Sequence, residues 1–248
     1  MGGIVGQDHP KQSLIPPCLS ARIRANTEWG ALTQDELDLF NRNVVCKTYT
    51  AGQIIFLQGD ACKGLYLVEE GLVAVRKVDD EGQSAIVRLA HQGDTLGYRP
   101  FLAKENHLAS AEVIENANIC FIDAKTMHGL LISNPRLGIS FLEHTAHALG
   151  EAEERLFQIA ALSVRTRIIH LLVLLRDRYG TTTSDGTLFV ELPMTRRDLA
   201  EMIGARPESV SRALRDIQDE GLLNLSGRTV RVNQVDRLID ELHQNLCC

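Results

Sequence analysis

The sequence contains no apolar run that approaches the ~18 residues needed to cross a membrane. Its N-terminal segment, MGGIVGQDHPKQSLIPPCLS, lacks the long apolar stretch of a secretory signal peptide, and we expect it to be loosely ordered. Myristoylation is also excluded, because Gly6 stands where that motif requires Ser or Thr. These absences predict a cytoplasmic protein without a membrane partner.

Motifs typical of enzymes are missing too. The sequence has no Gly-rich phosphate loop, no H-E-x-x-H and no G-x-S-x-G. Cysteine is sparse, with 6 in 248 residues and no C-x-x-C pair, so zinc-ligand spacing is absent. A cytosolic location further argues against a disulfide framework. We therefore expect neither an enzyme nor a structural metal site.

Lysine is absent between Ser163 and Arg231, although this segment is rich in arginine. It contains 11 Arg against 9 Asp and Glu, which is a charge of +2. Because the net charge of the whole chain is −6, the rest of the chain carries −8. A mildly basic C-terminal third on an acidic body is compatible with one face for nucleic acid. The length of 248 residues allows one large domain or two small ones.

The segment from Cys46 to Asp123 predicts β-structure. Short apolar runs alternate with turn signals in GQIIFLQGD, GLYLVEEGLVAVRKV, DDEGQSAIVRLA and ASAEVIENANICFID. The segment 79–82 is a predicted hairpin turn. Several short strands at this spacing favour a small barrel or sandwich.

A long helix is predicted after the β-region, with Pro135 near its start. Leucines recur every seven residues along it, which is the spacing of helices that pair between two subunits. The predicted dimer interface consists of Leu142, Thr145, Leu149, Ala152, Leu156 and Ile159. An amphipathic helix packed on its own domain is the alternative interpretation.

The C-terminal segment TRRDLAEMIGARPESVSRALRDIQDEGLL predicts a helix-turn-helix. Thr195 suits the cap of a first helix, Gly204 breaks it, and Pro207 suits the first turn of a second helix. Ala200 and Val210 provide the small and apolar residues that two steeply crossing helices require. The following GLLNLSGRTVRVN predicts two short strands about a Ser-Gly turn, which is a wing.

Three side chains near the start of the second helix are predicted to read DNA bases. Glu208, Ser211 and Arg212 lie at i, i+3 and i+4, and hence on one helix face. Glu accepts from cytosine, Arg donates two hydrogen bonds to guanine, and Ser suits base edges or phosphate. A first-turn acid on the helix dipole and an exposed ion pair are the alternatives for Glu208 and Arg212. The predicted DNA-backbone contacts are Thr195, Arg196, Arg197, Arg206, Ser209, Arg215 and Arg228.

These segments resemble the CRP/FNR family of transcription factors from about Leu32 to Leu242. The family's β-roll pattern is present as Gly52, Phe56, Gly59, Tyr66, Gly71, Val73, Gly93, Asp94 and Gly97, and ESVSR is an FNR-type recognition core. The resemblance implies an α+β chain with an N-terminal extension (1–31), a cyclic-nucleotide-binding-like β-roll (32–132), a dimerisation helix (133–162) and a winged helix-turn-helix domain (163–248). It also implies a homodimer that binds double-stranded DNA at a TTGAT-N4-ATCAA-like inverted repeat, with RNA polymerase as a partner.

The effector pattern of the family's cyclic-AMP branch is absent. That branch requires Glu after Gly97 and an Arg-Ser-Ala element further on, whereas this sequence has Tyr98 and, at 109–111, Ala-Ser-Ala. A buried phosphate would then lack its guanidinium partner. The sequence also departs from that branch at Pro207 and Ser211. Cyclic AMP is therefore not the expected effector.

Cysteine chemistry offers two other signals. In the family's oxygen-sensing branch, three N-terminal cysteines and one in the β-roll hold a [4Fe–4S] cluster. Cys18 and Cys120 match two of those positions, which are too few for a four-cysteine site, and recruitment of Cys46 or Cys62 is left as an alternative. A thiol switch at the terminal cysteines 247–248 is the second alternative, since exposed thiolates oxidise readily. Otherwise Cys46 and Cys120 are expected to behave as small apolar residues.

Haem is a further alternative, with His91, His107, His144 and His147 as candidate ligands. The segment that follows Gly97, YRPFLAKENHL, is expected to face the dimerisation helix as in the family. Arg99 would then pair with Glu143 or Glu151, or else be solvated. The sensor candidates are Cys18, Cys120, Tyr98, Arg99, Lys104 and His107.

Overall fold

The computed structural model describes residues 19–184 and 187–246. Short helical elements precede the first strand: α1 (Ala21–Ala25), a 3₁₀ turn (Glu28–Ala31) and α2 (Gln34–Asn43). They pack as part of a hydrophobic cluster rather than as a tail, because Leu19, Ile23 and Trp29 are all buried. The Trp29 ring contacts Phe40 edge-on, with ring centroids 5.1 Å apart.

Six strands of the described residues form the antiparallel sheet of the N-terminal domain. They are β1 (Val45–Tyr49), β2 (Ile54–Phe56), β3 (Gly64–Val78), β4 (Ser84–Ala90), β5 (Thr95–Leu96) and β6 (Ser110–Asp123). The order is β1-β6-β3-β4, with β2 paired to β6 and β5 paired to β3. Register shifts along the β3–β6 pair bend the sheet into a roll. The predicted β-region and its hairpin turn are confirmed, and Asp79 N donates to Gln83 O at 3.0 Å across that turn.

Three helices follow or interrupt the roll: α3 (Tyr98–Ala103), α4 (Ala124–Ser133) and α5 (Pro135–Ala161). The Asn134 side chain caps α5 by accepting a hydrogen bond from Leu137 N at 3.1 Å. Near its start, α5 buries Leu137 and Phe141 against the roll, and most of the rest of the helix is exposed. No helix within the described ranges is long and apolar enough to cross a membrane.

The C-terminal domain is a winged helix-turn-helix, as predicted. Its elements are α6 (Val164–Tyr179), β7 (Gly180–Thr182), β8 (Leu188–Glu191), α7 (Arg196–Met202), α8 (Pro207–Asp219), β9 (Leu223–Ser226), β10 (Thr229–Val232) and α9 (Val235–Leu246). The small sheet has the order β7-β8-β10-β9. Ile168, Ile169 and Leu172 of α6 form the centre of the core.

The two domains share one hydrophobic cluster. Leu72 and Ala74 of β3, together with Ile86 and Leu89 of β4, belong to the same cluster as the buried residues of α6, α7 and α8. The intervening Val73 belongs to the interior of the roll instead. Both faces of this part of β3 are therefore covered, which explains why GLVAVRKV is apolar without strict alternation.

His91 lies beside this interface, with its ring 6.2 Å from the ring of Tyr179 in α6. Burial, and then the positive charge of Arg178, lower the pKa of His91 from 6.5 to about 4; Asp94 opposes this shift, and Arg88 adds slightly to it. Between those pH values the unfolded chain binds a proton that the folded chain does not. The free energy of unfolding should therefore fall as the pH drops from about 6.5 toward 4.

We expect His91→Gln to reduce this pH dependence, because glutamine takes up no proton in either state. Urea unfolding of the wild type and the variant, at neutral pH and at a pH inside that window, measures the slope. His128→Gln, at an exposed histidine, is the matched control. An identical slope in the wild type and His91→Gln would show that His91 does not cause the acid sensitivity.

Candidate DNA-reading surface and sensor cavity

The helix-turn-helix is held together by local hydrogen bonds that the sequence encodes. Thr195 and Asp198 form a capping box at the start of α7, in which the Thr195 hydroxyl accepts from Asp198 N at 3.2 Å. Gly204 follows α7 with φ of +63°, and an added Cβ would lie 3.2 Å from Ile159 Cδ1. Glycine adopts this positive φ without strain, whereas a side chain here would also require Ile159 to shift by a few tenths of an ångström. Pro207 begins α8.

The predicted base-reading residues lie together on the exposed face of α8. Glu208, Ser211 and Arg212 are all exposed, while Val210, Leu214 and Ile217 on the opposite face are buried. Within the described ranges, no hydrogen bond or ion pair joins Arg212 to Glu208. The guanidinium and the carboxylate are therefore both available to a ligand in front of the helix, and their donor and acceptor chemistry suits base edges in a major groove.

The predicted DNA-backbone residues surround this face. Arg196 and Arg197 lie on α7, Arg206 directly precedes α8, and Arg228 lies in the wing turn between β9 and β10; all four are exposed. Ser209 and Arg215 are exposed on α8. Arg197 also pairs with Glu201 at 3.2 Å. Thr195 differs from the others, because its hydroxyl already donates to Asp198 at 2.6 Å within the cap.

Comparisons with known proteins agree with this geometry. The family model of the cyclic nucleotide-binding domain matches residues 46–134, and that of the Crp-like helix-turn-helix domain matches residues 166–241. The chain belongs to the CRP/FNR family of transcriptional regulators. Proteins of this family are DNA-binding regulators rather than enzymes.

Individual relatives cover most of the chain. The anaerobic regulatory protein of Bacillus subtilis is 26% identical over 179 residues, which are 71% of this chain and 75% of that protein. The transcriptional activator protein FnrL of Cereibacter sphaeroides is 24% identical over 94% of each chain. The structure of FixK2 from Bradyrhizobium japonicum matches with a TM-score of 0.68 at 23% identity, over 79% of this chain and 96% of that one, and supports the fold alone.

In this CRP/FNR regulator, a cavity of about 600 Å³ lies between the β-roll, α5 and α7. Its apolar wall includes Phe56, Val75, Leu96, Ala148, Leu156 and Met202. Three predicted sensor residues, Tyr98, Arg99 and His107, line it. The expectation that the segment after Gly97 faces the long helix is confirmed, because the Tyr98 ring lies edge-on to His144 of α5 at 4.7 Å. Lys104 is exposed and does not line the cavity.

The predicted partner of Arg99 was wrong. Arg99 pairs with Glu105 at 2.9 Å instead of Glu143 or Glu151. Arg99 lies in the first turn of the short helix α3 and Glu105 follows its end, so the pair forms locally without reaching α5. Both side chains are about half exposed, at 53% and 47%, so this pair contributes little to stability.

Two positions of the cavity wall differ from the cyclic-AMP branch of the family. Ala109 and Tyr98 stand in the wall in place of the arginine and the glutamate that the cyclic-AMP branch uses. His107 provides no replacement charge, because burial lowers its pKa and its ring stacks on Phe56 with centroids 3.8 Å apart. Arg88 of the wall is already paired with Asp94 at 3.0 Å. Of the other two wall arginines, Arg99 is paired with Glu105, and Arg155 donates to the carbonyl oxygen of Val87.

The cysteines also differ from expectation. Cys46 of β1 and Cys120 of β6 are directly opposite in register and are joined by a disulfide, contrary to the predictions of no disulfide and of two free apolar thiols. A cross-strand neighbour is invisible in the sequence, because 74 residues separate the pair. The disulfide removes Cys120 as a free sensor thiol. Cys18 and the terminal cysteines 247–248 lie outside the described residues.

The cysteines of the described residues do not converge as a four-cysteine iron–sulfur site. Among the described residues, Cys62 is the one free cysteine, and burial raises the pKa of its thiol. That thiol is within hydrogen-bond distance of the carbonyl oxygens of Gly64 and Gly97, at 3.4 and 3.6 Å. Within the same ranges, no three His, Cys, Asp or Glu side chains converge as metal ligands.

The histidines considered as haem ligands lie in different parts of the structure. His91 lies at the domain interface, His147 is exposed on α5, and His107 is in the cavity wall. His144 faces a buried hydrogen-bonded chain that sequence reasoning missed. Trp29 Nε1 donates to Thr95 Oγ1 at 2.9 Å, the Thr95 hydroxyl donates to Glu28, and the other Glu28 oxygen lies 3.6 Å from His144 Nδ1.

Proposed function

We propose that this protein is a homodimeric, sequence-specific DNA-binding regulator that reads an inverted repeat of the TTGAT-N4-ATCAA kind. The observation that carries the proposal is that Glu208, Ser211 and Arg212 on α8 are all exposed to solvent and lie on one face of that helix. Exposed arginines on α7, at the start of α8 and in the wing flank this triplet, where DNA phosphates would lie.

The dimer proposal rests on the exposed apolar stripe of α5. Leu142, Leu149 and Leu156 are spaced by seven residues and are 66%, 60% and 70% exposed. Ile159 is 44% exposed on the same side of the helix. A stripe of large apolar side chains along a helix of 27 residues is stabilised when a second copy covers it, and the seven-residue spacing suits a coiled-coil-like pair.

Binding to labelled duplexes tests the proposed function. We expect specific binding to the inverted repeat, with affinity that falls steeply as salt rises because phosphate contacts release counterions. A duplex with both half-sites scrambled and one with a single half-site are the matched controls. Equal affinity for the repeat and the scrambled duplex, in aerobic and anaerobic preparations alike, would overturn the proposal.

For the signal, we propose a small, mainly apolar effector in the cavity between the roll, α5 and α7. The apolar wall and the uncharged His107 support this choice. Occupancy would influence DNA binding because the cavity is walled by both domains, so an effector that prefers one arrangement of the domains shifts the population toward it. A thiol-based signal through Cys46 and Cys120 is the second candidate, supported by their disulfide.

Cyclic AMP should not bind this cavity with physiological affinity. Titration calorimetry of the wild type is therefore expected to show no saturable heat, and DNA affinity should not change when cyclic AMP is added. Ala109→Arg places a guanidinium at the wall and is expected to increase any residual nucleotide binding. Saturable binding of cyclic AMP to the wild type would show that another wall cation, such as the exposed Lys77, replaces the missing arginine.

A further inference from the structure

Arg76 of the β-roll forms the polar part of the contact between the two domains. It lies on the same face of β3 as Leu72 and Ala74, because side chains two residues apart point to one side of a strand. Its Nη2 donates to Asp198 Oδ1 of α7 at 2.8 Å, and its Nη1 donates to Glu201 of the same helix. The Ser84 hydroxyl of β4 donates to the same Glu201 oxygen at 3.0 Å.

This cluster is shielded from water. The side chains of Arg76, Asp198 and Glu201 are 15%, 13% and 9% exposed. Burial alone would raise the pKa of Asp198, but hydrogen bonds from Thr195 and then from Arg76 hold it below its ordinary value. Glu112 of β6 accepts from Arg76 Nε at 3.0 Å and fixes the guanidinium on the roll. Removing Arg76 would leave Asp198 against the roll without its cation and Glu201 with Arg197 alone, which favours separation of the domains.

The docked arrangement leaves the predicted functional surfaces open. The base-reading face of α8, the N-terminus of α7 and the apolar stripe of α5 are all exposed while α7 contacts the roll. Glu201 accepts from Arg76 and also from Arg197, a predicted phosphate contact. The docked arrangement is therefore compatible with simultaneous dimerisation and DNA binding, and it links the roll to a residue expected at the DNA backbone.

We propose that Arg76 is a positioning residue for DNA recognition, which acts by clamping α7 to the β-roll through Asp198 and Glu201. The inference rests on the proposed function. Two recognition helices of a dimer must stand about 34 Å apart to enter successive major grooves. A reading domain attached only through the α5–α6 junction would sample many separations, and the clamp restricts it to one before DNA arrives.

Arg76→Gln tests this role because it removes the charge and keeps a polar side chain. We expect affinity for the full inverted repeat to fall about tenfold, while affinity for a single half-site stays near the wild-type value. Glu201→Gln should also weaken binding to the full site. The double variant should be no weaker than the weaker single variant, because the pair of Arg76 and Glu201 is lost in all three proteins. Arg42→Gln, at an exposed arginine of α2, removes the same charge elsewhere and should bind as the wild type does.

Amide hydrogen exchange measures the stability of the contact between α7 and the β-roll in the absence of DNA. In Arg76→Gln, the amides of α7 and of β4 facing it should exchange faster, whereas those of β1 and β6 should not change. Faster exchange with unchanged or tighter binding to the full site would overturn the positioning role, as would equal losses on full and half sites. Unchanged exchange would overturn the clamp itself. If the wild type binds no DNA specifically, the proposed function fails, and the exchange measurement still decides whether Arg76 clamps the domains.

Discussion

Arg212→Ala is expected to weaken binding to the inverted repeat by about 1–3 kcal/mol while leaving binding to random DNA nearly unchanged. Arg212 is exposed on α8 beside Glu208 and Ser211, and its guanidinium has no intramolecular partner among the described residues. Fluorescence anisotropy on duplexes that carry every substitution at each half-site position measures the effect. The preference should relax at one base pair per half-site and remain at the others.

Arg197→Ala is the matched comparison, since it removes an arginine that is 77% exposed from the neighbouring helix. It should weaken specific and random DNA alike and make the salt dependence shallower, because phosphate contacts carry no base information. If Arg212→Ala gave the same uniform loss, Arg212 would contact only phosphate, and Glu208 with Ser211 would have to provide base reading.

Leu149→Glu is expected to convert the proposed dimer to monomers. Leu149 is 60% exposed in the middle of the α5 stripe, so each subunit would bring a carboxylate to the centre of one apolar contact. Two like charges there are poorly solvated and repel each other, at a cost of several kcal/mol. Sedimentation should show half the wild-type mass, and binding to the full repeat should fall to that of a half-site.

His147→Glu adds a carboxylate two residues earlier, on the opposite side of α5, where the side chain is also exposed. It should leave the dimer intact. A Leu149→Glu protein that stays dimeric with an unchanged melting temperature would place the subunit interface elsewhere than on this stripe.

Features that depend on residues close together in the sequence were predicted well. The capping box of Thr195, the positive φ of Gly204 and the first-turn Pro207 lie within 13 residues of chain, and each acts on its own backbone. The long helix likewise begins at Pro135, which was predicted to lie near its start. Such features are readable because hydrogen bonds and dihedral preferences involve neighbours in sequence.

Pairings between distant strands were not predicted. The disulfide of Cys46 and Cys120 depends on the register of β1 against β6, which is set by the whole roll. The carboxylates considered for Arg99 were not its partner for a related reason, since Glu105, just after the end of α3, pairs with it instead. In both cases composition gave no sign of which of several chemically equivalent partners would be nearest.

By itself, the sequence predicted a β-roll, a long helix with a leucine stripe and a winged helix-turn-helix with Glu208, Ser211 and Arg212 on one face of its second helix. Periodicity, caps and turns are enough for that, because they act over a few residues. Only the tertiary structure decided that Arg76 meets Asp198 and Glu201, at separations of 122 and 125 residues. A strand residue that faces another domain has the same local pattern as one that faces water, so its partner exists only once both domains have packed together.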